Sequence, residues 1–217
     1  MKEFKTDFEF KDNRNYVHST TMLELLIKII YKNYYAEDLW EMPKIDAKFH
    51  KEVLFNGNFV IAEDISEFPE TGTASADFRF YDATRSRYAA FIEDKGISVT
   101  KRIKTNYRVE DIVLERDFSG TCRIGCEDRA AFIENVIEAN KRMHLLTLRD
   151  QNKTLKVINL YMKKFPVFVP SEAKELLLKI ENINVRQRAG SLATLNSFYF
   201  PDMQVVRFEM AYIVERL

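Results

Sequence analysis

Two cysteines four residues apart, Cys122 and Cys126, and three histidines, His18, His50 and His144, are the residues of this 217-residue chain best suited to hold a metal. A structural zinc site needs four ligands, mostly thiolates and imidazoles. The cysteines supply two, and the rest would have to come from just three histidines, so we expect reduced structural thiols, no metal and no cofactor. Arg186 and Arg188, in Val185-Arg186-Gln187-Arg188, alternate along an extended run. Guanidinium forks so placed could meet phosphates or an acidic surface, although a wet sheet face has the same pattern.

Elements must position such groups, and hydrophobic period is the guide. Phe8-Glu9-Phe10-Lys11 alternates aromatic and polar residues, the period of a half-buried strand, and stops at the turn-forming Asp12-Asn13-Arg14-Asn15. Ser19 or Thr20 can then cap a helix whose apolar positions Met22, Leu25, Leu26, Ile29 and Ile30 recur at three and four. A loop through Met42-Pro43-Lys44 follows. Strands are expected at 47–54 and 59–62, then a break at Pro69-Glu70-Thr71-Gly72, then strands at 76–81 and 87–92 joined as a hairpin through residues 82–86.

Past an expected linker at 96–104 the same order returns. A strand is expected over 109–118 and a helix over 128–144 with Ala131, Phe132, Val136, Ile137 and Ala139 near one side. Strands at 155–162, 176–183, 185–197 and 205–214 complete the set. Superposing the helices sets Glu24 against Glu134. This repeat of pattern implies an α+β chain of two similar halves, 1–98 and 99–217.

Composition limits the partners. The chain is 46% hydrophobic with 17 Phe and 10 Tyr, enough for an aromatic-rich core. Lys plus Arg and Asp plus Glu are each 33, so no global field draws the protein to nucleic acid or an anionic membrane. No apolar run approaches the roughly 20 residues that span a bilayer, and the charged start Met1-Lys2-Glu3-Phe4-Lys5 carries no leader pattern. A cytoplasmic protein is expected.

A strand, a helix and then antiparallel strands, given twice, resembles the double hot-dog arrangement, in which each antiparallel sheet wraps a central helix. The segment from Phe8 to Glu24 is similar to hot-dog acyl thioesterases of the 4-hydroxybenzoyl-CoA and acyl-ACP types: a strand ending in an acidic residue, a polar turn, a Val-His pair, then the helix. Asp12, Val17, His18 and Leu23 fall on those landmarks. The chain departs from the pattern at Thr21-Met22 and in lacking the turn glycine. It also lacks the Pro- and Gly-rich loop that carries the histidine of the related hydroxyacyl thioester dehydratases.

The resemblance implies an acyl-CoA or acyl-ACP thioester as substrate, in fatty-acid or polyketide metabolism. Asp12 or Glu24 would be the carboxylate, His18 would orient water or bond the thioester, and amides near Ser19 and Thr20 would face the carbonyl, with Tyr16 beside them. Glu134 or Asp128 of the second half could complete a pair with His18, and Arg186 and Arg188 would meet coenzyme A phosphates or a carrier protein. Each residue has a plainer role: His18 a helix cap, Asp12 a turn former, Glu24 and Glu134 solvated helix positions. The second half has Cys126-Glu127-Asp128-Arg129 where the first has its histidine, so one active site per chain is expected. Dehydration of a 3-hydroxyacyl thioester, or acyl or partner binding without catalysis, are the alternatives, and pairing of two chains is left open.

Overall fold

Met22, Leu23, Leu26, Ile27 and Ile30 return every three or four residues, and a helix is the conformation that gathers them into one stripe. In the computed structural model that helix, α1, spans Ser19–Tyr34 and buries all five. The structure describes residues 1–34, 44–68, 73–81, 85–148, 155–166, 174–188, 191–201 and 203–216. The break expected at 69–72, the hairpin tip at 82–84, residues 42–43 and Asp202 lie outside the described residues. The chain divides into two compact units, Met1–Asn106 and Tyr107–Leu217.

The first unit holds β1 (Lys2–Lys5), β2 (Glu9–Lys11), α1, β3 (Lys44–Phe49), β4 (Phe55–Ala62), β5 (Ala76–Tyr81), β6 (Ser86–Ser98) and β7 (Lys101–Ile103). Five of these strands form an antiparallel sheet in the order β1-β4-β6-β5-β3, while β2 and β7 pair in parallel. Alternate residues of β4, β5 and β6 put Phe59, Phe78, Phe80 and Phe91 into the core. Phe8 meets Phe91 and Phe59 edge-on, with ring centroids 5.2 and 6.2 Å away. The start of α1 is held by the bridge between Val17 and Val53. Its end is held by Lys2 and Arg87, stacked 5.2 and 5.0 Å over the ring of Tyr34.

The second unit holds β8 (Val109–Arg116), β9 (Ser119–Gly125), α2 (Arg129–Thr147), β10 (Leu155–Pro166), β11 (Glu175–Arg188), β12 (Ser191–Phe200) and β13 (Met203–Arg216). Its sheet is antiparallel in the order β10-β13-β12-β11-β9-β8. Asp128 caps α2, its carboxylate accepting from the Ala131 amide at 2.8 Å. Phe132 of α2 packs against Phe165 and Phe200 at 6.1 and 5.9 Å, and Phe208 stacks on Phe198 at 5.0 Å. Each unit thus has one large antiparallel sheet and one long helix, with the parallel β2–β7 pair added in the first, the α+β arrangement expected.

Two expectations are corrected, and one strand was not expected. Segment 96–104 is not a plain linker: β6 runs on to Ser98, and β7 pairs with β2 more than ninety residues back. Its strands are solvated and charged, so they leave no apolar period in the sequence. Residues 119–125 form β9, with Cys122 and Ile124 facing the core and Arg123 outward. The run 185–197 is the end of β11 and the start of β12 rather than one strand. Two glycines permit close strand contact: a Cβ at Gly57 would sit 2.0 Å from the Ile92 carbonyl oxygen, and one at Gly120 2.2 Å from that of Val113.

Candidate functional site

Lys11 ends β2, and the chain then turns with Asp12 at φ 53°, a left-handed conformation that aspartate tolerates better than most residues. Arg102 fastens the turn. Its guanidinium donates to the carbonyls of Asp12 and Arg14 and, at 3.3 Å, to Asn15 Oδ1, while stacking 5.5 Å over Phe10. The Asp12 carboxylate accepts twice from Thr105, from the amide at 3.0 Å and from Oγ1 at 2.6 Å. Those two bonds, with the charges of Arg14 and Lys11, hold its carboxyl below the usual aspartate value. The structure gives Asp12 the work of fastening a turn.

The turn delivers His18 to the head of α1. The His18 carbonyl accepts the first helical bond from Met22 at 3.2 Å, and its ring nitrogen Nδ1 lies 3.5 Å from the Thr20 amide, as a cap does. Nδ1 is also 2.9 Å from Thr20 Oγ1. That hydroxyl accepts from Lys11 Nζ at 2.9 Å, and Lys11 is 1% exposed. Lys11, Thr20 and His18 therefore form one chain of hydrogen bonds running from the interior to the half-buried imidazole. Tyr16 lies beside it with ring centroids 6.5 Å apart, and Ser19, also half-buried, is the first helical residue.

Glu24 stands one turn beyond Thr20 on the same side of α1. Its carboxylate is 24% exposed and meets the exposed Lys28 at 2.6 Å. Glu134 and Asp128 belong to the second unit, where Glu134 is a half-buried residue of α2 and Asp128 is the cap of that helix. Arg186 is exposed on β11; Arg188 ends that strand, and its side chain lies outside the described residues. Of the residues singled out by sequence, the structure brings Tyr16, His18, Ser19 and Thr20 together, with Glu24 one turn along the helix. Asp12 is drawn instead to Thr105.

Other titratable groups are committed elsewhere. His50 Nε2 lies 2.6 Å from Asp77 Oδ2 on the first sheet. Burial pushes the Cys122 thiol up to about 12, which makes it inert, and Cys126 is likewise a thiol and not half of a disulfide. Among the described residues, no group of three His, Cys, Asp or Glu is placed to hold a metal. Sequence reading missed Lys11, Arg102 and Thr105. Alternation put Lys11 on the face of its strand opposite Phe10, where solvent was expected, but that face is covered and the side chain is buried. Arg102 and Thr105 lay in what read as a linker.

Comparison with known proteins bears on the fold. No protein-family model matches the sequence, and no curated protein matches it. A solved structure from Alicyclobacillus acidocaldarius, described as a conserved protein of unknown function with hot-dog fold, aligns over 99% of this chain and 92% of its own, at 8% identity and TM-score 0.51. The chain is a hot-dog fold protein. An inactive mutant of the CurJ dehydratase is similar to this hot-dog chain over 99% of its length and 90% of that structure's, at 10% identity and TM-score 0.52. A more distant likeness, TM-score 0.45 at 10% identity, is to the acyl-CoA thioesterase II TesB2 of Mycobacterium marinum, covering 89% of this hot-dog chain and 87% of that one. No helix among the described residues is long and apolar enough to cross a membrane.

Proposed function

We propose that this hot-dog protein hydrolyses an acyl thioester carried by coenzyme A or an acyl carrier protein, at a site formed by His18, Glu24 and the first turn of α1. The observation that supports the reading is the placement of His18: its ring is fixed through Nδ1 at the positive end of a sixteen-residue helix. Amides of that first turn and the imidazole would face the thioester carbonyl and stabilise the oxyanion as water adds. Water must give up a proton as it attacks, and a carboxylate can take it. Glu24 suits this role better than Asp12, because its partner is an exposed i,i+4 lysine worth only about 0.3–0.5 kcal/mol, whereas both Asp12 oxygens are engaged by Thr105.

Tyr16 and Ser19 would line the approach to the carbonyl. Dehydration of a 3-hydroxyacyl thioester asks His18 to remove a proton, and the commitment of Nδ1 to Thr20 leaves that only to Nε2. The test is thiol release from short, medium and long acyl-CoA and acyl-ACP substrates. Release that falls by about 10²-fold or more in both His18→Ala and Glu24→Gln supports the reading. No release from any substrate overturns it in favour of binding without hydrolysis.

A further inference from the structure

A lysine at 1% exposure is costly to keep unless its ammonium is hydrogen-bonded. Lys11 Nζ can only donate, so its 2.9 Å contact occupies a lone pair of Thr20 Oγ1. The hydroxyl proton of Thr20 is then left to be donated, and His18 Nδ1 stands 2.9 Å away. The backbone amide of Thr20 points at the same nitrogen at 3.5 Å. The amide can only donate, so Nδ1 meets it with a lone pair, and the Thr20 hydroxyl can then donate to the same nitrogen.

We propose that Lys11 and Thr20 hold His18 in its neutral Nε2–H tautomer, so that His18 serves the site as a hydrogen-bond donor and not as a proton acceptor. Protonating Nδ1 would set an N–H against the Thr20 amide and turn the Thr20 hydroxyl away. It would also place a second positive charge one hydroxyl away from the Lys11 ammonium. Lys11 and Thr20 are thus positioning residues, acting through the ring they orient. His144 supplies an internal contrast. Its Nδ1 lies 2.8 Å from the carbonyl oxygen of Asn140, which can only accept, and its Nε2 lies 2.6 Å from Thr194 Oγ1. That ring carries its proton on Nδ1, the opposite tautomer.

What the donated proton does rests on the thioesterase reading, but the tautomer does not, and the two fail separately. The experiment is imidazole ¹⁵N correlation spectroscopy of the full chain at a pH where both rings are neutral, with His50→Gln removing the third histidine signal. Expected is a non-protonated Nδ1 and a protonated Nε2 for His18, with the reverse for His144. In Thr20→Val the His18 pattern should move to a mixture of tautomers while the His144 signals stay put, reporting an intact second unit. Where Thr20→Val does not fold, Thr20→Ser, which restores the hydroxyl, must keep the wild-type pattern. A protonated Nδ1 on His18 in the wild type, or a pattern unmoved by Thr20→Val, overturns the proposal. Absence of thioester hydrolysis beside the expected tautomer overturns the assigned activity instead.

Discussion

Asp12 and Thr105, 93 residues apart, are joined twice, through the Thr105 amide and its hydroxyl onto the two oxygens of one carboxylate. This link closes the turn that sets His18 at the head of α1. The carboxylate that the sequence offers as a candidate base thus also fastens this turn.

Replacing it should therefore act on stability. Asp12→Asn keeps the left-handed turn but loses the charge-assisted bonds, and the carboxylate is partly exposed. We expect a loss of about 1–2 kcal/mol, a fall in Tm of roughly 3–6 °C for a chain of this size. The sign with pH follows from the depressed carboxyl. Its contribution is present above the unfolded value of 3.8 and is lost as pH falls through the lower folded value. The Tm gap between wild type and variant should close at the acid end of that window; a gap that persists there would contradict the role.

His144 predicts a second pH dependence. Burial among Phe118, Tyr212 and the core of the second unit pushes its imidazole down to about 4, against 6.5 when unfolded. Between those values the unfolded chain binds a proton that the folded chain refuses, so stability falls as pH drops from 6.5 to about 4, by roughly 3 kcal/mol in all. Thermal melts of His144→Gln should show a shallower slope across that window, starting from a lower Tm at neutral pH.

Gly57→Ala and Gly120→Ala test the strand contacts. In each, the new methyl would meet a backbone carbonyl within 2.2 Å, and the paired strand must move. Losses of about 1–3 kcal/mol are expected, read as a lower urea midpoint with unchanged m. A wild-type midpoint for either would show that its sheet yields there freely.

Lys28→Ala separates the helix pair from the chemistry. The Glu24–Lys28 ion pair lies on an open surface, so its removal should lower stability by less than about 0.5 kcal/mol and leave the Glu24 carboxylate to its function. Thermal melts and thiol release together check this. A Tm drop beyond about 3 °C would make the pair structural.

Much of the fold was legible because its signals are local. The apolar period of Met22 to Ile30 gave α1, the similar stripe from Phe132 to Ala139 gave α2, and Asp128 stood where the cap of α2 proved to be. The pairing of β2 with β7 was not legible, since strand pairs distant in sequence and open to solvent need no apolar alternation. The buried strand over Ser119–Gly125 was not expected, because so short a run between glycines holds only Cys122 and Ile124 as its apolar alternation. At the site, His18 and Thr20 could be found from a helix start, but Lys11 could not. A lysine following Phe10 in an alternating run belongs on the solvent face, and nothing local shows that its ammonium is buried on Thr20 of the helix.

The measurement that bears most directly on the account is thiol release across the acyl-CoA and acyl-ACP panel for wild type, His18→Ala, Glu24→Gln and His50→Ala. The last variant removes a histidine that is paired with a carboxylate, Asp77, on the first sheet. The account predicts hydrolysis by the wild type, a loss of about 10²-fold or more in the first two variants, and wild-type turnover in His50→Ala. Hydrolysis that survives His18→Ala and Glu24→Gln but fails in His50→Ala would place the chemistry elsewhere and contradict it.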